Sequence, residues 1–155
     1  MDYVISGLPM KSFQPLFGLD ADALCARGMV RQVADCKPGF PCRITLHDAE
    51  PGERLLLLTW AHLDVDTPYR ASGPIFVRES AEATGLFRNM IPEQQRSRLL
   101  SVRAYDKDGW MRDAEVGEGA TLEWLIERFF ADTKVAYLQV HNARRGCYAC
   151  RVDRG

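Results

Sequence analysis

The sequence predicts an α+β fold: one domain over residues 1–155, with a largely antiparallel sheet, about three helices and a C-terminal β-hairpin. Three observations predict it. Short β-rich runs follow one another through tight turns, as antiparallel strands do. Helical patterns fall between groups of strands instead of alternating with them, so the regular strand–helix order of a doubly wound sheet is missing. The stretch Tyr137 to Arg154, YLQVHNARRGCYACRVDR, reads as two strands around Arg144-Arg145-Gly146.

The elements follow in order. Tyr3 to Ser6 is a short strand. Asp20 is placed as an N-cap, Leu19 and Leu24 as a hydrophobic staple, and Gly28 as the stop, giving a helix over Ala21 to Arg27. Met29 to Ala34 is a strand, and Lys37 to Pro41 a loop stiffened by two prolines. Cys42 to His47 alternates and is expected to be a strand, turning through Glu50-Pro51-Gly52 into Arg54 to Ala61. Leu55 to Leu58 offers no polar face, so that strand is expected to be covered on both sides. A polar loop, Leu63 to Gly73, precedes a strand over Ile75 to Arg78. Pro92 opens a helix through Leu100 with a weak apolar stripe. Val102 to Asp106 and Trp110 to Val116 form a hairpin about Asp108-Gly109. Thr121 caps the best helix, whose Leu122, Leu125, Ile126, Phe129 and Phe130 make one apolar face.

Composition narrows the function. The chain has 155 residues, 46% hydrophobic and 26% charged, which suits a folded domain with a real core. A net charge of −1 gives no global attraction to nucleic acid or acidic membrane, and neither is expected as a partner. The longest apolar run, Leu55 to about Ala61, is too short to span a bilayer. Asp2 stands where a signal peptide would be basic. Five cysteines, an odd number, point to thiols and a cytoplasmic location.

The terminal hairpin is the most informative stretch. A three-residue loop ending in Gly146 suits a type I turn with a G1 bulge. That register pairs Ala143 with Cys147, Asn142 with Tyr148, His141 with Ala149 and Gln139 with Arg151. Leu138, Val140, Asn142, Tyr148, Cys150 and Val152 then form a core face. His141 and Cys147 fall on the other face as diagonal neighbours, roughly 7 Å apart. A histidine beside a thiol favours the thiolate, and Arg144, Arg145 and Arg151 add positive potential, so His141 and Cys147 are the candidate catalytic pair. Set against this, cysteine is among the most buried residue types, and the pattern reads more readily as a small buried Cys147 with His141 a satisfied polar residue.

Other constellations are weaker. Cys42, His141 and Asn142 have the chain order of a papain-like triad, but adjacent strand residues face opposite ways, so Asn142 would not orient His141. Cys147-x-x-Cys150 has half a zinc spacing, yet within a strand the two thiols diverge, so no metal is expected. No G-x-x-x-x-G-K-[ST], G-x-G-x-x-G or H-E-x-x-H pattern is present, and no cofactor is expected. Arg43, Arg70 and Arg78, with His62, Tyr69 and Arg145, are candidate holders of a small anionic ligand. Each arginine has an ordinary alternative in ion pairs with Asp64, Asp66, Glu79 or Asp113.

The segments KPGFPCRITLHDAEPGERLLLL, DTPYRASGPIFVRE, RAYDKDGWMRDA and VAYLQVHNARRGCYACRVDR resemble, in the same order, those of a bacterial domain family of unknown function, number twelve-oh-three. The resemblance runs over nearly the whole chain and implies a single-domain protein. It supplies no activity, cofactor or site residue. Two readings therefore stand. One is a small domain that binds a small anion and processes it with Cys/His chemistry. The other is a non-catalytic interaction module using the Tyr137, Gln139 and Arg151 face. Whether the chain is an enzyme, and its oligomeric state, are not encoded in these patterns.

Overall fold

Nine strands and three short α-helices make up the protein, described over residues 1–155 in a computed structural model. They are β1 Tyr3–Ser6, α1 Ala21–Cys25, β2 Val30–Val33, β3 Arg54–Leu63, β4 Ala71–Arg78, β5 Leu86–Arg88, α2 Glu93–Arg96, β6 Leu99–Tyr105, β7 Met111–Glu118, α3 Leu122–Phe130, β8 Tyr137–Asn142 and β9 Tyr148–Arg154. They form a six-stranded sheet in the order β5-β1-β9-β8-β6-β7 and a three-stranded sheet in the order β2-β3-β4. Every strand pairing is antiparallel. The α+β expectation holds.

The apolar stripe of α3 explains its place. Leu122, Leu125, Ile126, Phe129 and Phe130 are all buried against Val102, Ala104, Leu138, Val140, Cys150 and Val152 from one face of the large sheet. Each such side chain contributes on the order of 2 kcal/mol through burial. A second cluster joins the small sheet, through Leu56, Leu58, Ile75 and Val77, to Leu8, Phe13, Leu24 and Tyr148. Tyr148 belongs to the large sheet, so the two sheets share that core. Leu55, Leu56 and Leu58 of β3 are buried, with Leu57 half-buried, as a leucine run with no polar face requires.

Four sequence expectations need correction. Cys42 to His47 is not a strand. Cys42, Arg43, Ile44, Thr45 and Leu46 are buried without alternation, and Leu46 is left-handed at φ 59°. The segment is a buried loop whose backbone bonds to several partners. Arg43 N donates to Phe76 O, Leu8 N to Arg43 O, and Gly85 N to Ile44 O. Glycines clamp it: a Cβ on Gly7 would lie 1.9 Å from Ile44 O, and one on Gly85 2.4 Å from Thr45 O. The helix expected through Leu100 stops at Arg96, and Leu99 and Leu100 begin β6. Gln94 and Gln95, not apolar residues, occupy the buried side of that single turn, which is why its stripe was weak. β5 was not foreseen. Its three residues are too few to show a period. The fourth correction, the register of the terminal hairpin, shapes the site.

Candidate functional site

The β8–β9 turn closes differently from a G1-bulge hairpin. Asn142 N donates to Cys147 O at 2.9 Å, and Gly146 N reaches back to Asn142 O at 2.7 Å. Gly146 sits at φ 75°, the left-handed region that suits glycine. The loop therefore holds four residues, Ala143 to Gly146, with Asn142 opposite Cys147. Further along, Gln139 pairs with Arg151 and Val140 with Cys150, but His141 pairs with Tyr148. Ala149 is the extra residue of a bulge. A one-residue slip moves side chains to the other face. Ala149 joins the core under α3, and Tyr148 turns toward the small sheet.

The expected His141–Cys147 pair is therefore not formed. Asn142 and Cys147 share one face of the hairpin end; His141 and Tyr148 share the other. His141 is 1% exposed. Its Nδ1 donates to Gly146 O at 3.1 Å, and Nε2 lies 3.4 Å from Gln139 Oε1. Gln139 Nε2 donates to His62 O at 2.6 Å, which turns Oε1 toward His62 Nδ1 at 3.0 Å. The His62 ring stacks on Tyr148 at 5.3 Å and meets His141 edge-on at 5.0 Å. Burial above all, then the Arg103 charge, pushes His141 down to about 4. Burial also lowers His62, against the pull of its bond to Gln139. Both rings are neutral near pH 7. Their ring nitrogens meet Gly146 O and Gln139 Oε1, and neither bonds Cys147.

The partner of Cys147 is Arg43. The guanidinium lies in the buried loop, 2% exposed. Its Nε donates to Tyr148 O at 2.7 Å and Nη1 to Pro41 O at 2.6 Å. Its Nη2 donates to Cys147 Sγ at 3.2 Å, and Asn142 Nδ2 approaches the same sulfur at 3.5 Å. None of the three Arg43 acceptors is a carboxylate. Burial works against its positive charge, and Cys147 is the first influence opposing that. Cys147 itself is only half-buried. A buried cation thus stands against the sulfur of a half-buried cysteine.

The other predicted ligand holders are dispersed. Arg78 pairs with Glu53 at 3.3 Å and lines a cleft of about 540 Å³ with Thr45, His47, Ser80 and Glu82. Cys147 is not part of that cleft. Arg70 pairs with Asp64 at 3.1 Å in the loop before β4, at the far end of that strand from Arg78. Tyr69 packs edge-on against Tyr105 and Trp110 there. Arg145, with Arg144, is exposed on the loop beside Cys147. So Arg43, His62, His141, Cys147 and Arg145 gather around the hairpin end, whereas Tyr69, Arg70 and Arg78 do not. Of the face foreseen for a protein partner, Tyr137 and Gln139 are buried, and Arg151, partly exposed, lies 3.9 Å over the Tyr137 ring. Sequence reasoning missed Asn142 as a sulfur ligand, and Gln139 and Arg103. Arg103 faces Gln139 across β6–β8, a long-range pairing with no local signal.

The profile of a family described as Protein of unknown function (DUF1203) matches residues 39–154. The chain belongs to this family. The matched region contains Arg43, both strands of the hairpin and Cys147; β1, α1 and β2 precede it. No curated protein and no solved structure matches the chain. Family membership carries no activity with it. No helix in it is long and apolar enough to cross a membrane.

Proposed function

We propose that this domain binds a small anionic ligand at the open end of the β8–β9 hairpin. The observation that carries the reading is Arg43, a cation withdrawn from water without a carboxylate to balance it. Buried charges are ordinarily paired, and an uncompensated one costs several kcal/mol. The compensating charge has to come from the sulfur it touches or from an anion settling next to that sulfur. Arg144 and Arg145 flank the opening, exposed and free of acidic partners. The backbone N–H groups of Arg144, Arg145 and Cys147 make no hydrogen bond within the protein. Guanidinium and free amide groups together suit carboxylate or phosphate. Five free cysteines agree with a reducing compartment, and we place the protein in the cytoplasm on that ground.

Thermal unfolding tests the reading. Phosphate, sulfate and a small dicarboxylate are each compared with chloride at matched ionic strength. A bound anion adds stability by mass action, about 2.7 kcal/mol at a hundredfold excess over Kd, and so raises Tm. The rise should vanish in the Arg144→Ala/Arg145→Ala double variant, whose changes lie on an exposed loop. If every anion behaves like chloride, the proposal is wrong.

A further inference from the structure

We infer that the cleft lined by Arg78, Glu82 and Phe87 binds a free α-amino acid with an apolar side chain. The site is separate from the hairpin end, none of whose residues lines it.

The walls come from distant parts of the chain. Thr45 and His47 lie at the end of the buried loop, Glu53 stands just before β3, and Arg78 ends β4. The connection that follows runs from Ser80 to Gly85 and enters β5, an edge strand of the large sheet, at Leu86 and Phe87. Its far end is tied down. Thr84 Oγ1 donates to Leu8 O at 3.1 Å and accepts from Met10 N at 3.0 Å, and Gly85 N donates to Ile44 O at 2.8 Å. A wall already fixed in place lowers the ordering cost of binding. The volume, about 540 Å³, falls within the roughly 300–1,000 Å³ of small-molecule sites.

The polar groups in the cleft differ in what the protein leaves free. Glu53 is occupied: Oε1 accepts from Ser80 Oγ at 2.7 Å, and Oε2 accepts from Glu50 N at 2.7 Å and from Arg78 Nη1 at 3.3 Å. Arg78 is not. Nη1 is its one guanidinium nitrogen with a partner; Nε is buried and bonds nothing, and Nη2 bonds nothing while remaining open. A guanidinium with donors to spare suits a carboxylate. Glu82 is exposed in the same lining and takes part in no ion pair or hydrogen bond within the protein. Two carboxylates against one guanidinium leave a negative charge over. A simple anion meets Glu82 as a like charge, whereas a ligand that carries both signs meets an opposite charge at each end. Half-buried Phe87, with His47 edge-on at 5.9 Å, and exposed Leu86 supply apolar surface beside these charges. The ligand's carboxylate is thus assigned to Arg78, its ammonium to Glu82 and its side chain to Phe87 and Leu86.

The test is equilibrium dialysis of the full chain against three labelled compounds: L-phenylalanine, L-phenylalaninamide, which lacks the carboxylate, and N-acetyl-L-phenylalanine, which lacks the ammonium. Phenylalanine should bind about tenfold more tightly than either analogue, the loss of one hydrogen-bonded charge in each case. Glu82→Gln, on an exposed connection, should remove the advantage over N-acetylphenylalanine and keep the advantage over the amide. Arg78→Gln should do the reverse, with Tm read alongside to confirm that the chain stays folded. Arg144→Ala/Arg145→Ala should leave all three affinities unchanged, which separates this cleft from anion binding at the hairpin end. The inference is overturned if none of the three compounds is retained, if phenylalanine binds no more tightly than both analogues, or if Glu82→Gln leaves the ratio of phenylalanine to N-acetylphenylalanine as it was.

Discussion

Acid should weaken this fold through His141, and the size of the effect follows from its surroundings. The ring is covered, its Nδ1 bonded to Gly146 O, and its folded-state pKa is about 4 against 6.5 for the free side chain. A depressed histidine binds its proton more readily after unfolding. The stabilisation is therefore complete above about pH 6.5 and is lost as pH falls toward 4. The gap between the two values corresponds to about 3 kcal/mol in total, with about 2 kcal/mol already lost by about pH 5. His141→Gln keeps a donor for Gly146 O and removes the titration. The assay is urea unfolding of both proteins at about pH 7 and about pH 5, taking the change in stability of each. Carboxylates shared by the two proteins cancel in that difference. The wild type should lose about 2 kcal/mol more than the variant over that interval, even though the variant starts lower by about 1 kcal/mol from its poorer contacts. Parallel losses, within about half a kcal/mol, would refute the claim that His141 is held neutral by burial.

Two further predictions concern how the site is supported. A methyl at Gly7 meets Ile44 O at 1.9 Å, so Gly7→Ala must displace the loop that carries Arg43 and should cost several kcal/mol by the overpacking mechanism; Gly73→Ala, with open space around its Cβ, should change Tm little. The Asp20 carboxylate accepts from Ala23 N at 2.8 Å, so Asp20→Ala should cost about 1 kcal/mol in chemical denaturation; Thr121→Ala, at an N-cap whose side chain bonds Glu118 O instead, should cost less.

Periodic features were legible from the chain, and pairwise features were not. The stripe on α3, the leucine run of β3 and the cap at Asp20 each state their environment within one turn or one strand. The Cys42 to Leu46 segment misled because five buried residues with two polar members still alternate on paper. Only its long-range bonds, to Leu8, Phe76 and Gly85, show that it is a loop. The hairpin failed by one residue. Gly146 takes the left-handed conformation and Gln139 pairs with Arg151, as the turn pattern predicts, but the bulge at Ala149 lies in YAC, where nothing in the sequence marks it. Because strand faces alternate, that single residue replaced His141 with Arg43 as the neighbour of Cys147.

Arg43 could be regarded as a scaffold, since it bonds two carbonyls that the buried loop and β9 would otherwise leave unsatisfied. That role does not require a charge. Neutral amide donors elsewhere in this protein do the same work: Gln94 bonds Cys42 O, and Gln139 bonds His62 O. Each meets its carbonyl without the several kcal/mol that desolvating a guanidinium costs. Arg98, a partly covered arginine near this loop, pairs with Asp48 at 2.8 Å. Arg43 has a sulfur where Arg98 has a carboxylate. The charge is compensated only if that sulfur is ionised or an anion lies against it. Either way, the compensating charge would lie at Cys147, half-buried next to the exposed Arg144 and Arg145.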